Sequence, residues 1–144
     1  MSRSPLDYCR HILDETAFLI EQSGKLDEAS FAKDPVAQRA FVRSFEIIGE
    51  ASKQVTPELR AKYPDIPWTK MARMRDKVIH HYFGVEYDLL WTVVQEEIPK
   101  LDSALRKLLS ENDKELVKSE IPEAALGYLL KVTLLHVKPV IWRQ

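Results

Sequence analysis

The sequence predicts an all-α fold, an antiparallel helical bundle in one small domain, and three observations carry that prediction. Only 4 of its 144 residues are glycine, while Leu, Ala, Glu and Lys abound. That balance favours helices over a turn-rich β architecture. Apolar residues recur at helical rather than alternating spacing. Cap and stop signals divide the chain into four long periodic stretches with short connections, and amphipathic helices joined in this way bury their faces by packing on one another. The length suits one domain with a real core and is too short for two full-sized ones.

Ser4-Pro5 opens the first helix, with a hydroxyl to cap it and proline at its first position. Leu6, Cys9, Leu13, Ala17 and Ile20 follow at helical spacing until Gly24 stops the run. Asp34-Pro35 repeats the opening signal, and Phe41, Phe45, Ile48, Ala51 and Val55 mark the second helix. Thr56-Pro57 starts a short helical piece that the prolines of Tyr63-Pro64-Asp65-Ile66-Pro67 bring to an end. The third helix is expected from Trp68 to about Phe83, broken by Gly84, and the fourth from Glu86 to Ser110 on Leu90, Val94, Leu101, Leu105 and Leu108. Beyond Asn112 the texture changes. Residues 113–123 are charged and contain Pro122, and Tyr128-Leu-Leu-Lys-Val-Thr-Leu-Leu-His-Val-Lys-Pro139 reads as strand rather than helix. The expectation is a helical domain over 1–112 and an irregular or strand-like tail over 113–144.

A formal net charge of −1 gives no global attraction to nucleic acid, so any RNA or DNA contact needs a local basic patch. Cys9 is the single cysteine, which excludes an internal disulfide and makes a reducing compartment the default. The N-terminus lacks the apolar core of a signal peptide, and no stretch has the length of a membrane span, so a cytoplasmic protein is expected. His11, His80, His81 and His136 show no ligand spacing, and neither a metal nor a cofactor is expected.

The third helix is where chemistry concentrates. At 100° per residue, Trp68, Met71, Val78, Ile79 and Tyr82 lie within about 60° of Arg75, which puts an arginine in the middle of the apolar stripe. Lys70, Arg73, Asp76, Lys77, His80 and His81 share the opposite half. Burying a guanidinium unpaired costs several kcal/mol. Arg75 must therefore meet a carboxylate, for which Glu46 and Glu50 are the candidates, or a phosphate, or another chain. Asp76 and His80, four apart, could form a surface pair. Arg75 and His80 are five apart, about 140° around the helix, so one chain cannot easily aim both at one atom. Two copies of the helix meeting across a twofold axis could, and an active site here is expected to be dimeric.

Arg75-Asp-Lys-Val-Ile-His80-His-Tyr82 resembles the R-x4-H-x-Y motif of the HepT-like toxins, a branch of the HEPN superfamily. Ile47-Ile48-Gly49-Glu50-Ala51, Ile66-Pro67-Trp68, Arg73-Met-Arg-Asp-Lys and Tyr82-Phe-Gly-Val-Glu-Tyr-Asp-Leu-Leu-Trp91 extend the likeness over roughly residues 4–111. The resemblance implies a four- to five-helix HEPN bundle that forms a homodimer through the motif helices. It implies a metal-independent endoribonuclease serving as the toxin of a type II or type VII-like toxin–antitoxin pair. The partner it implies is an MNT-type nucleotidyltransferase antitoxin, which neutralises the toxin by adding AMP to the motif tyrosine, Tyr82. Metal-free RNA cleavage needs a base for the 2′-hydroxyl, an acid for the leaving 5′-oxygen and a cation for the phosphorane charge. Histidine can fill either proton role, and arginine holds phosphate in a bidentate fork. With the resemblance, His80 is expected as general acid/base and Arg75 as phosphate clamp. Asp76 is expected to support them by orienting His80, and Lys70, Arg73 and Lys77 to form the RNA-binding patch.

The tail departs from that resemblance. Tyr128 to Arg143 resembles the opening strand of an unrelated family of plasmid-encoded open-reading-frame proteins, which implies a truncated fusion or a disrupted frame. Two other functions compete with the toxin reading. One is a non-catalytic HEPN module that binds, or is modified by, its nucleotidyltransferase. The other is a purely structural helical oligomer in which Arg75 pairs internally with Glu46 or Glu50.

Overall fold

A computed structural model describes residues 3–80 and 84–120, and among these it contains seven helices and no strand: α1 Pro5–Ser23, α2 Glu28–Ala32, α3 Pro35–Gln54, α4 Pro57–Lys62, α5 Trp68–His80, α6 Tyr87–Glu96 and α7 Ile98–Glu120. The helix starts are those that the local chemistry dictates. Ser4 caps α1 in a reciprocal box, its hydroxyl accepting from the Leu6 amide at 3.3 Å while the Asp7 carboxylate accepts from the Ser4 amide at 3.0 Å. Asp34 accepts from the amides of Val36 and Ala37, both at 3.0 Å, with Pro35 at the first position of α3. Thr56 caps α4 in the same manner.

Three boundaries differ from the sequence expectation. The short helix α2 forms between the first two predicted ones, because Asp27 caps it and the Gln38 side chain donates to the carbonyls of Phe31 and Ala32 at its end. The single helix expected over 86–110 is two, α6 and α7. Pro99 has no amide proton and its ring opposes the carbonyl four residues earlier, so the axis breaks at Glu97. Helix α7 then continues past Ser110 to Glu120. Residues 113–120 are charged but contain neither glycine nor proline, and nothing stops propagation before Pro122. The strand-like reading of Tyr128–Pro139 falls outside the described residues, as does the last stretch of the expected third helix.

The chain divides into two compact units, Met1–Leu109 and Ser110–Gln144. The first holds the core. Phe31 lies against Phe41 and Trp91, with ring centroids 4.8 and 5.2 Å apart, and Cys9, Ile12, Leu19, Ile48, Leu90, Val94, Leu105 and Leu108 are almost fully buried around them. Helix α3 is the hub, packing most extensively on α5 and on α1. Its C-terminal end is closed by Arg60, which donates to the carbonyls of Val55 at 3.0 Å and Ser52 at 2.6 Å. One buried polar link joins α1 to α7: the Thr16 hydroxyl lies 2.9 Å from Asp102 Oδ1, and Arg106 Nε donates to Asp102 Oδ2 at 2.8 Å. In the second unit the described residues are the last stretch of α7. Among the described residues no helix is long and apolar enough to cross a membrane.

Candidate functional site

The motif helix is α5, and its placement depends on one glycine in α3. A Cβ built on Gly49 would lie 2.0 Å from Arg75 Cβ, 2.9 Å from Arg75 Cγ and 2.9 Å from the Met71 carbonyl oxygen. Any side chain at position 49 would drive the two helices apart. With hydrogen there instead, the Arg75 stem lies directly on the α3 backbone. Met71 and Trp68, one and two turns earlier on the same stripe, are buried, so α5 is anchored by its N-terminal half. The Trp68 indole also donates to the Tyr63 carbonyl at 3.0 Å, tying the start of α5 to the end of α4.

The choice between carboxylates for Arg75 is settled by this crossing. Glu50, next to Gly49, lies 3.5 Å from Arg75 Nε, whereas Glu46, one turn back, pairs with Arg43 at 3.1 Å. A second carboxylate, Asp76, accepts from Arg75 Nη1 at 3.2 Å through Oδ1. The same oxygen accepts from Lys53 Nζ at 2.8 Å. Four charges thus alternate in a row across α3 and α5: Lys53, Asp76, Arg75, Glu50. The lysine first, then the arginine, holds the Asp76 carboxyl below the usual carboxylate range. Arg75 keeps 30% of its side chain exposed. The apolar stripe buries its stem and leaves the guanidinium at the surface.

Lys70, Arg73 and Lys77 are exposed, and their spacing sets them on one face of α5. Lys70 also borders an apolar groove of about 420 Å³ whose walls include Phe45, Ile48, Met71, Met74 and Leu101. A smaller recess of about 120 Å³ lies where α5 approaches the start of α6, lined by Met74, Lys77, Val85 and Leu90. His80 closes α5, and only its backbone is among the described residues. Its side chain and the whole of Tyr82 lie outside them, as does His81. The structure therefore brings Arg75 and Asp76 together on one surface, with Lys70, Arg73 and Lys77 on the exposed face of the same helix. Sequence reading did not single out Lys53. Its signal was available only as a lysine four residues beyond a glycine, on a helix whose crossing point was not yet known.

A helical domain whose motif helix carries a partly exposed arginine over a glycine crossing defines an all-α protein with a cationic group at its surface. The profile of the ribonuclease HepT-like family matches residues 12–108, and the chain belongs to that family, within the HEPN superfamily. It is 48% identical over 107 residues, 74% of its length, to a protein assigned as an RNase in Caldanaerobacter subterraneus subsp. tengcongensis, 96% of which is covered. It is 43% identical over 108 residues, 75% of its length, to a protein assigned as a ribonuclease HepT in Thermococcus cleftensis, 98% of which is covered. A protein assigned as an RNase in Methanocaldococcus jannaschii is 36% identical over 104 residues, covering 72% of this chain and 86% of that one. No solved structure matches the chain significantly.

Proposed function

We propose that this protein is a metal-independent endoribonuclease, the toxin of a toxin–antitoxin pair, with its site composed of Arg75 and His80 from two copies of α5. The observation that carries the reading is the state of Arg75 in a chain of this family. Its stem is fixed on Gly49, its guanidinium is partly exposed, and its contacts among the described residues are made by Nε and Nη1. Ion pairs at such exposure are worth about 0–1 kcal/mol each, so an RNA phosphate can share or replace them. A bidentate arginine–phosphate contact is stronger than either.

In this scheme Arg75 holds the scissile phosphate and offsets the charge that grows on it in the phosphorane. His80 takes the 2′-hydroxyl proton or supplies a proton to the departing 5′-oxygen. The helical offset between positions 75 and 80 supports a dimeric site, in which one copy's arginine and the other's histidine face one phosphate. Lys70, Arg73 and Lys77 supply the local positive face that the near-zero net charge hides. The partner in this proposal is an MNT-type nucleotidyltransferase that transfers AMP from ATP to Tyr82. Each transfer releases pyrophosphate and places phosphate charge two residues from His80, where it would repel RNA.

Induced expression in a bacterial host tests the reading, comparing wild type with Arg75→Ala and His80→Ala at matched protein levels. Arrest of growth by wild type alone, together with new 5′-hydroxyl RNA ends, is the expected result. Absence of arrest and of new ends in all three overturns the ribonuclease reading in favour of a HEPN module that acts by binding its partner.

A further inference from the structure

Most ion pairs among the described residues are local, and two cross between helices. Arg10–Asp7, Lys25–Glu21, Arg43–Glu46, Lys100–Glu97 and Arg106–Asp102 are local, three or four residues apart on one helix. Lys53–Asp76 and Arg75–Glu50 instead cross from α3 to α5, and both lie around the Gly49 crossing. Local pairs are what any surface helix makes. Two pairs spanning the Gly49 crossing, and joined to each other by the Arg75–Asp76 contact, call for a separate account.

The difficulty they raise is electrostatic. Arg75 has two carboxylates on it, and two negative charges beside one positive charge disfavour an incoming phosphate. Lys53 changes that balance. Its ammonium lies 2.8 Å from Asp76 Oδ1, closer than Arg75 Nη1 at 3.2 Å to the same atom. A lysine on the far side of Asp76 draws the carboxylate toward α3 and neutralises it there, so Arg75 need not. With Lys53 absent, Arg75 is the cationic partner left to Asp76 among the described residues, and the carboxylate would close on it, through the Nη atoms a phosphate would use.

We propose that Lys53 is a positioning residue of the ribonuclease site: by holding Asp76 it keeps the guanidinium of Arg75 available to an RNA phosphate. The inference rests on the functional reading above and adds a residue from another helix to it. Lys53 is 34% exposed and acts through Asp76 rather than on RNA itself.

The test is a double-mutant cycle on the full chain, reading binding of a labelled 20-nucleotide single-stranded RNA whose 2′-O-methyl groups prevent cleavage. Lys53→Met is expected to weaken binding about fivefold, the scale of one partly lost charge-assisted contact, and Lys53→Arg to restore it. In an Asp76→Asn background, Lys53→Met is expected to change binding by less than about twofold, and the salt dependence to keep the wild-type slope. Thermal melting of each variant shows that it is folded. An unchanged affinity for Lys53→Met overturns the inference alone. A loss that persists in the Asp76→Asn background, with a salt slope lower by about one, also overturns it, because Lys53 would then touch the RNA directly. If wild type fails to bind RNA, the functional reading and this inference fall together.

Discussion

Arg75 shows how one residue can satisfy two demands that its sequence position sets against each other. The apolar stripe calls for burial and the guanidinium calls for solvent or a partner. The outcome divides the side chain, its stem on Gly49 and its head between Glu50 and Asp76. Sequence reading reached the conflict and the short list of partners. It did not reach the choice of Glu50 over Glu46, because a shift of one turn in the α3–α5 crossing would exchange them. The glycine makes that crossing, so its substitution is the sharpest probe at this scale. Gly49→Ala puts a methyl group where Arg75 Cβ and the Met71 carbonyl already are, and backbone oxygen cannot swing aside as a side-chain end can. A loss of about 1–3 kcal/mol in urea unfolding is expected, with RNA cleavage falling further than stability because Arg75 moves with α5. An alanine variant as stable as wild type would show that the two helices can separate at no cost.

Capping chemistry accounts for where the helices begin, and packing for how many there are. Ser4-Pro5, Asp34-Pro35 and Thr56-Pro57 each start a helix, as their side chains require. The break between α6 and α7 was also written in the sequence, as Pro99, but the uninterrupted apolar spacing from Leu90 to Leu108 masked it. Helix α2 is the opposite case. Five residues are too few to hold a helix by propensity, and it stands because Phe31 enters the core and Gln38 caps its carbonyls. Between elements, the link from Thr16 to Asp102 is buried and charge-assisted. Thr16→Val keeps the volume and removes the donor, and a loss of about 1.5–3 kcal/mol in global stability by urea titration is expected. A neutral result would mean that Arg106 alone satisfies the Asp102 carboxylate.

At the scale of the whole molecule, the near-zero net charge conceals an uneven distribution. Basic residues line the exposed face of α5, and alternating charges run from α3 to the motif arginine. The pH dependence of stability should register the latter. Lys53 and Arg75 lower the Asp76 pKa in the folded chain, so the folded state binds fewer protons there than the unfolded one. The stabilisation is fully present above the ordinary aspartate value of about 3.9 and is lost as pH falls through the lower folded value. Comparing wild type with Asp76→Asn by thermal melting, the lead of wild type at neutral pH is expected to vanish on acidification below that range. A lead that is constant with pH would mean that the Asp76 charge does nothing for the fold.

By itself the sequence determined that the described chain is helical, which residues cap its helices, that Trp68 and Met71 face inward on α5, and that Arg75, His80 and Tyr82 resemble the motif of the ribonuclease HepT-like family. Those are local or periodic properties, and a single chain of symbols contains them. Only the tertiary structure decided that Gly49 is the crossing point, that Glu50 rather than Glu46 reaches Arg75, and that Lys53, 23 residues away in sequence, holds Asp76 beside it. Ion pairs across helices depend on the rotation and height of one axis against another. Those are set by the packing of the whole core around Phe31, Phe41 and Ile48, which no single stretch of sequence encodes.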